Sequence, residues 1–307
     1  MTPDPSFLYQ TASHREALAA LTYGVLEEKG FITVIGDAGT GKTTLLSRML
    51  RTIPRSKVAF SLVLNPTLTA EEFLESAMVD FGIDAIPTSK LRRLLKLQQF
   101  LSIARSAGKI CVLVIDEAHK LSSDVLEEIR LLTNFENAER KFVQIILAGQ
   151  LELRSTLNAQ ELRQLKQRIA VRCELRPLSG AEVAQYVYFR WTVAGGASKP
   201  PFDEEAIQFI AAISNGIPRV INALCDNSLA LIYATGEPRV AIAHARQGAR
   251  DLDLEGLESY SATPSQRSGN GYKDTSGHAP LNLPQPVPVR PSTDVLGASS
   301  WFRTRKA

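Results

Sequence analysis

Cysteine, methionine and tryptophan are scarce in this chain of 307 residues: three, three and two copies. Cys111, Cys173 and Cys225 stand far apart with no metal-ligand spacing, which excludes a disulfide framework or a zinc site and leaves them as small core hydrophobes. No apolar stretch approaches the roughly 18 residues of a membrane-crossing helix, and no charged-then-apolar leader opens the sequence. The expected compartment is the cytoplasm. A surplus of one charge is missing too. The formal net charge is +3, and from Gly256 onward six basic residues face three acidic ones, so the remaining 29 and 29 cancel. Whole-chain electrostatics therefore demand neither a nucleic acid nor a membrane. No internal repeat is visible. What is present is 44% hydrophobic content, enough for substantial cores.

Residues 36–43 read Gly36, Asp37, Ala38, Gly39, Thr40, Gly41, Lys42, Thr43, followed by Thr44. An apolar run, Phe31 to Ile35, precedes them, and a helix-like stretch with Leu45, Leu46, Met49 and Leu50 follows. Strand, glycine-rich turn and helix in this order form a phosphate-binding loop. Its glycines let backbone N–H groups converge on phosphate oxygens, and the helix adds the positive end of its dipole. Residues 36–44 are the expected ATP contacts. Lys42 is expected at the β- and γ-phosphates, and Thr43 at Mg²⁺.

Cys111 to Ile115 is a second continuous apolar run, the pattern of a strand buried on both faces, and it ends in Asp116 and Glu117. Ligands of open α/β sheets bind beyond the carboxyl ends of the strands. Asp116 is the expected Mg²⁺ partner and Glu117 the expected general base for an attacking water. Asp116-Glu117-Ala118-His119 is also a helicase spelling, but no second motor domain reads from the chain, and His119 is expected to begin a loop.

Strand-like runs recur at about 31–35, 57–64, 110–116, 142–148 and 169–175 with helical patterns between them. Five parallel strands covered on both faces follow, an α/β class. Thr69 with Glu72 predicts a capping box, and Leu91, Leu94, Leu95 and Leu101 the apolar face of the next helix. After Pro177 only helical signals remain: a capping box at Ser179 and Glu182, a cap at Asp203, and Gly216 then Pro218 punctuating a further helix start. The expected division is a nucleotide-binding domain over 1–176, a helical domain over 177–252, and a tail over 253–307. Its Ser, Pro and Gly content predicts disorder for that tail.

Two polar residues complete the expected machinery. Gln150 follows the fourth strand, where its amide can orient water or touch the γ-phosphate. Arg219 lies in the first turn of the helix that Pro218 opens, able to reach the γ-phosphate when the helical domain closes.

These residues resemble the AAA+ ATPases, and within them the general secretion pathway protein A type, over about residues 3–250. The resemblance rests on Pro3-Asp4-Pro5, Phe7-Leu8-Tyr9, His14-Arg15-Glu16-Ala17-Leu18 and the phosphate loop. It continues through Val114 to Ala118, Leu147 to Gln150, Leu165 to Ile169 and Gly216 to Arg219. It implies a P-loop sheet ordered 5-1-4-3-2, a helical lid, and assembly into rings or filaments with ATP at subunit interfaces. It also implies an arginine finger, given by one subunit to its neighbour's γ-phosphate. Arg168 is the first choice, where a helix gives way to the fifth strand, and Arg163 the second, while Arg172 belongs to the polar face of that strand. The core is similar as well to the ATPases that regulate DNA transposition, of the MuB and TnsC type. Two partner readings follow: a secretion or envelope-export system, or a transposase on DNA, which a basic stretch of Lys90, Arg92, Arg93 and Lys96 would contact.

Overall fold

The computed structural model describes residues 7–64, 67–136, 141–196 and 199–254. Pro3-Asp4-Pro5 and the tail beyond residue 254, with its expected disorder, lie outside the described residues. Five strands form one sheet: β1 (Phe31–Gly36), β2 (Val58–Val63), β3 (Ile110–Ile115), β4 (Val143–Gly149) and β5 (Ile169–Leu175). Their order is β2-β3-β4-β1-β5 with every neighbouring pair parallel, the expected order read from the other edge. All residues of β1 and β4 are buried. A parallel strand with helices on both faces needs apolar side chains in both directions, so these strands read as continuous runs. At the edge, β5 exposes Ala170, Arg172 and Glu174 while burying Cys173 and Leu175.

One face of the sheet is covered by α1 (Ala12–Leu26) and α2 (Lys42–Thr52). Leu21, Leu45 and Met49 pack there on Val34, Val114 and Ile146. The other carries α3 (Ala70–Asp80), α4 (Lys90–Ser106), α5 (Ser123–Leu132), α6 (Glu152–Leu157) and α7 (Arg163–Gln167), with Phe73, Leu101, Ile129, Leu153 and Leu165 against Phe31, Ile115 and Leu147. Each such buried side chain contributes about 1.5–3 kcal/mol, so the central strands are held from both sides. The helices α8 (Gly180–Val193), α9 (Glu204–Ser214), α10 (Pro218–Thr235) and α11 (Ile242–Asp251) enclose a third core around Val187, Ile210, Leu224 and Ala245. Both predicted capping boxes close, Thr69 with Glu72 and Ser179 with Glu182, and Pro218 opens α10. The three thiols are buried, and desolvation pushes Cys111 and Cys173 up to about 11.

Three local expectations differ. Of the expected apolar face of α4, Leu101 is buried and Leu94 packs half-buried on the core, but Leu91 and Leu95 point outward, and Arg93, Leu97 and Ala104 complete the buried seam. The leucine pattern misleads because an arginine fills the seam: Arg93 donates to Pro87 O at 2.7 Å and pairs with Glu71 and Glu75. The basic stretch is thus no single exposed face, since Lys90 pairs with Glu128 and Lys96 donates to Asp84 O and Ala85 O. Asp203 starts α9 without a side-chain cap, because Arg239 takes its carboxylate at 2.6 Å.

Candidate nucleotide-binding site

Sheet order brings β1 between β4 and β5, with β3 beyond β4, so the loop after Gly36, the acids after Ile115 and Gln150 after Gly149 all emerge at one end. In register, Ile35 sits beside Gly149 and Ile115 beside Leu147. The loop turns through Gly39 and Gly41, at φ +81° and +100°, and Gly41 leads directly into α2. Thr40 is fully buried and folds onto the loop, its N–H and hydroxyl both donating to Asp37 O at 3.3 and 2.8 Å. Lys42 donates to the carbonyls of Gly36 and Asp37 at 2.8 and 2.9 Å. Burial lowers its pKa, opposed by the negative charges of Glu117, Asp116, Asp37 and Glu152.

Loop and acid strand are joined directly. The Thr43 hydroxyl donates to Asp116 Oδ2 at 2.5 Å, while Asp116 Oδ1 accepts the Glu117 N–H at 2.9 Å. Hard oxygen donors converging beside backbone N–H groups suit Mg²⁺ on a phosphate. Glu117 adopts a left-handed backbone at φ +53°, a conformation that costs roughly 1–3 kcal/mol outside glycine and concentrates at functional sites. Its carboxylate lies 3.6 Å from His119 Nε2 and 3.4 Å from Lys120 Nζ.

His119 does more than begin a loop. Its Nδ1 accepts the Gln150 N–H at 3.3 Å. The neutral ring therefore carries its proton on Nε2, the nitrogen that faces Glu117. It bridges the ends of β3 and β4, a relation that appears only once the two strands are known to be neighbours. Arg219 also meets the loop, since a β-carbon built on Gly39 would stop 2.7 Å from Arg219 Cβ.

Arg168 stands elsewhere. It caps α7 just before Ile169, which pairs with Phe31 at the opposite end of β1 from the loop. The six residues of β1, about 20 Å of strand, thus separate it from its own phosphate loop. Its guanidinium donates to Asn134 Oδ1 at 2.7 Å, to Thr133 Oγ1 and to Arg130 O. Arg163 is exposed on α7, and Arg172 is exposed on β5, as read from its alternation.

Sheet order, loop and acid pair define the class, a P-loop nucleoside triphosphatase fold of the AAA+ type, and residues 25–157 match the family model described as AAA domain. Within that class it is similar to the general secretion pathway protein A of Aeromonas hydrophila, 40% identical over 241 residues. That match takes in 78% of this chain and 44% of that protein, so the chain spans less than half of the relative. It is also 25% identical over 262 residues to the ATP-dependent target DNA activator B of Escherichia phage Mu, covering 82% of this chain and 76% of that one. Among solved structures, Cdc6p from Pyrobaculum aerophilum shares the fold, with a TM-score of 0.65, 17% identity, and coverage of 81% of this chain and 71% of that chain. Among the described residues no helix is long and apolar enough to cross a membrane.

Proposed function

We propose that the chain binds ATP in the loop 36–44 and hydrolyses it between subunits to drive assembly of a partner complex. The observation that carries the reading is the Thr43–Asp116 hydrogen bond, which sets two oxygen donors of Mg²⁺ type side by side at the mouth of the loop. Thr43 and Asp116 hold Mg²⁺, which when bound supplies positive charge against the charge growing on the phosphate oxygens. Lys42 leaves the carbonyls of Gly36 and Asp37 for the β- and γ-phosphates. Glu117 takes the proton of the attacking water, Gln150 orients that water, and Arg219 engages the γ-phosphate from the helical side. Arg168 serves the neighbouring subunit, where a finger is worth a factor of about 10³–10⁵ in related phosphoryl transfers.

Residues 1–176 act as the nucleotide-binding domain, 177–252 as the lid and 253–307 as a partner attachment, with the whole working in the cytoplasm as a ring or filament. Likeness to a secretion protein supports envelope secretion or export as the process. A second reading, an ATP-dependent DNA-binding regulator that recruits a transposase, is favoured by coverage: the match takes in 76% of the phage DNA activator against 44% of the secretion protein. Steady-state ATP turnover, alone and with duplex DNA, tests both. Absence of Mg²⁺-dependent turnover sinks the enzyme reading, and DNA that binds the ATP form and changes its rate selects the transposition reading.

A further inference from the structure

His14 lies on the first turn of α1, is 2% exposed, and belongs to a sequence motif without an assigned role. Its Nε2 is 3.1 Å from Thr40 O. A carbonyl only accepts, so Nε2 carries the proton. Its Nδ1 is 2.8 Å from Thr11 Oγ1. In the neutral ring that nitrogen accepts from the Thr11 hydroxyl, whose oxygen in turn caps the His14 N–H at 3.3 Å. Burial lowers the pKa of the ring and keeps it neutral. The Thr40 carbonyl thereby sets the tautomer, Thr11 supports the other ring nitrogen, and the Nε2–H donor faces the phosphate loop.

We propose that His14 is a positioning residue for the phosphate loop, its Nε2–H holding the Thr40 carbonyl so that the Gly41 N–H is aimed at bound phosphate. The argument is planar geometry. Across a trans peptide the carbonyl of one residue and the N–H of the next point in opposite directions. Fixing Thr40 O toward α1 turns the Gly41 N–H away from α1, toward the cradle. Gly41, at φ +100°, has no side chain to lock this plane itself, and a β-carbon there would meet His14 Nε2 at 3.4 Å. On the next peptide, Gly41 O already accepts the Leu45 N–H at 2.8 Å as α2 begins. Among the described residues, the His14 ring is the donor that holds the Thr40 carbonyl. The inference rests on the nucleotide reading of the loop, although the His14 contact itself exists without nucleotide.

The test uses two variant sets on the full chain. His14→Phe keeps volume without the donor, and His14→Gln restores an amide donor. Thr11→Val removes the hydroxyl that holds Nδ1 and so the orientation of the ring, and Thr11→Ser keeps it. Hydrogen exchange of the amides of residues 39–45, measured without nucleotide, should speed up by about tenfold in His14→Phe and Thr11→Val. It should return toward the parent in His14→Gln and Thr11→Ser. Affinity for the non-hydrolysable analogue AMP-PNP with Mg²⁺ should follow the same order, weakening by about tenfold, the scale of one hydrogen bond to a charged group. Exchange and affinity unchanged in folded His14→Phe and Thr11→Val overturn the proposal, as does recovery by volume alone. A parent chain that binds no AMP-PNP overturns the nucleotide reading, while the exchange data still decide whether His14 holds the loop.

Discussion

Arg219 packs its side-chain stem against Gly39, so that α10 of the helical unit rests on the turn of the phosphate loop, and a methyl group added to Gly39 would stop 2.7 Å from Arg219 Cβ. Gly39→Ala meets two obstacles, this approach and the left-handed backbone at φ +81°. It should cost roughly 1–3 kcal/mol in denaturant unfolding and weaken ATP binding more than Arg219→Ala does. Equal ATP affinity in Gly39→Ala and the parent would show that loop and α10 separate without consequence for the site.

Lys42→Ala and Glu117→Gln should fail in different ways. Without the Lys42 ammonium the β/γ charge is poorly offset, so tight ATP binding is lost. Glu117→Gln keeps the shape and the phosphate contacts but removes the base, so ATP is held and turnover stops. Equilibrium binding and steady-state rates on both variants check this, and ordinary turnover by Glu117→Gln would take Glu117 out of the base role.

The position of Arg168 at the far end of β1 from its own loop makes a contribution within one subunit geometrically remote. Arg168→Ala should bind ATP normally and hydrolyse it poorly. Mixed with Glu117→Gln subunits it should regain activity, because some interfaces then pair an intact Glu117 with a neighbour's intact Arg168. Loss of the hydrogen bonds to Thr133 and Asn134 should lower its stability by about 1 kcal/mol, so melting must be compared alongside. ATP-dependent association should appear in sedimentation as well. Co-assembly without rescue at any mixing ratio would pass the role to Arg163 or leave Arg168 structural.

Asp226 on α10 offers a test of the helical unit. Desolvation raises its pKa from 3.8 to about 6, with Arg190 pulling the other way, and its Oδ1 has no hydrogen-bond partner among the described residues. The folded chain thus binds this proton more tightly than the unfolded chain. Acidification from about pH 6 toward pH 4 favours folding through this group, and above pH 6 the buried charge opposes it. Asp226→Asn should stabilise at pH 7 by on the order of 1 kcal/mol after allowance for partial exposure, with the gain fading toward pH 4. Urea unfolding of parent and variant at each pH isolates the difference, since the opposite effect of His14, whose lowered pKa makes it lose stability on acidification through about 6.5, cancels between them. A variant no more stable than the parent at pH 7 would refute the assignment.

Much of the architecture could be read in advance because two-sided burial writes itself as unbroken apolar runs, as in Phe31–Ile35 and Cys111–Ile115. The acids and the loop were visible because they follow such runs directly. Contacts between segments were not visible. His119 gains its link to Gln150 from the adjacency of β3 and β4, and His14 reaches Thr40 only after α1 packs beside α2. On α4, counting leucines found Leu94 and Leu101 on the core but misplaced Leu91 and Leu95, since Arg93 with two carboxylate partners occupies a position that hydrophobicity alone reserves for an apolar side chain.

The strand that carries the phosphate loop pairs with β4 and β5 and with neither of the strands that come next in the chain. During synthesis, residues 31–43 emerge long before the strands at 143–149 and 169–175 that must flank them. Long-range parallel pairing of this kind is slow. The loop therefore gains its rigid seat only late in translation, and a ribosome-bound chain stopped before residue 143 holds the complete motif without the sheet that shapes it.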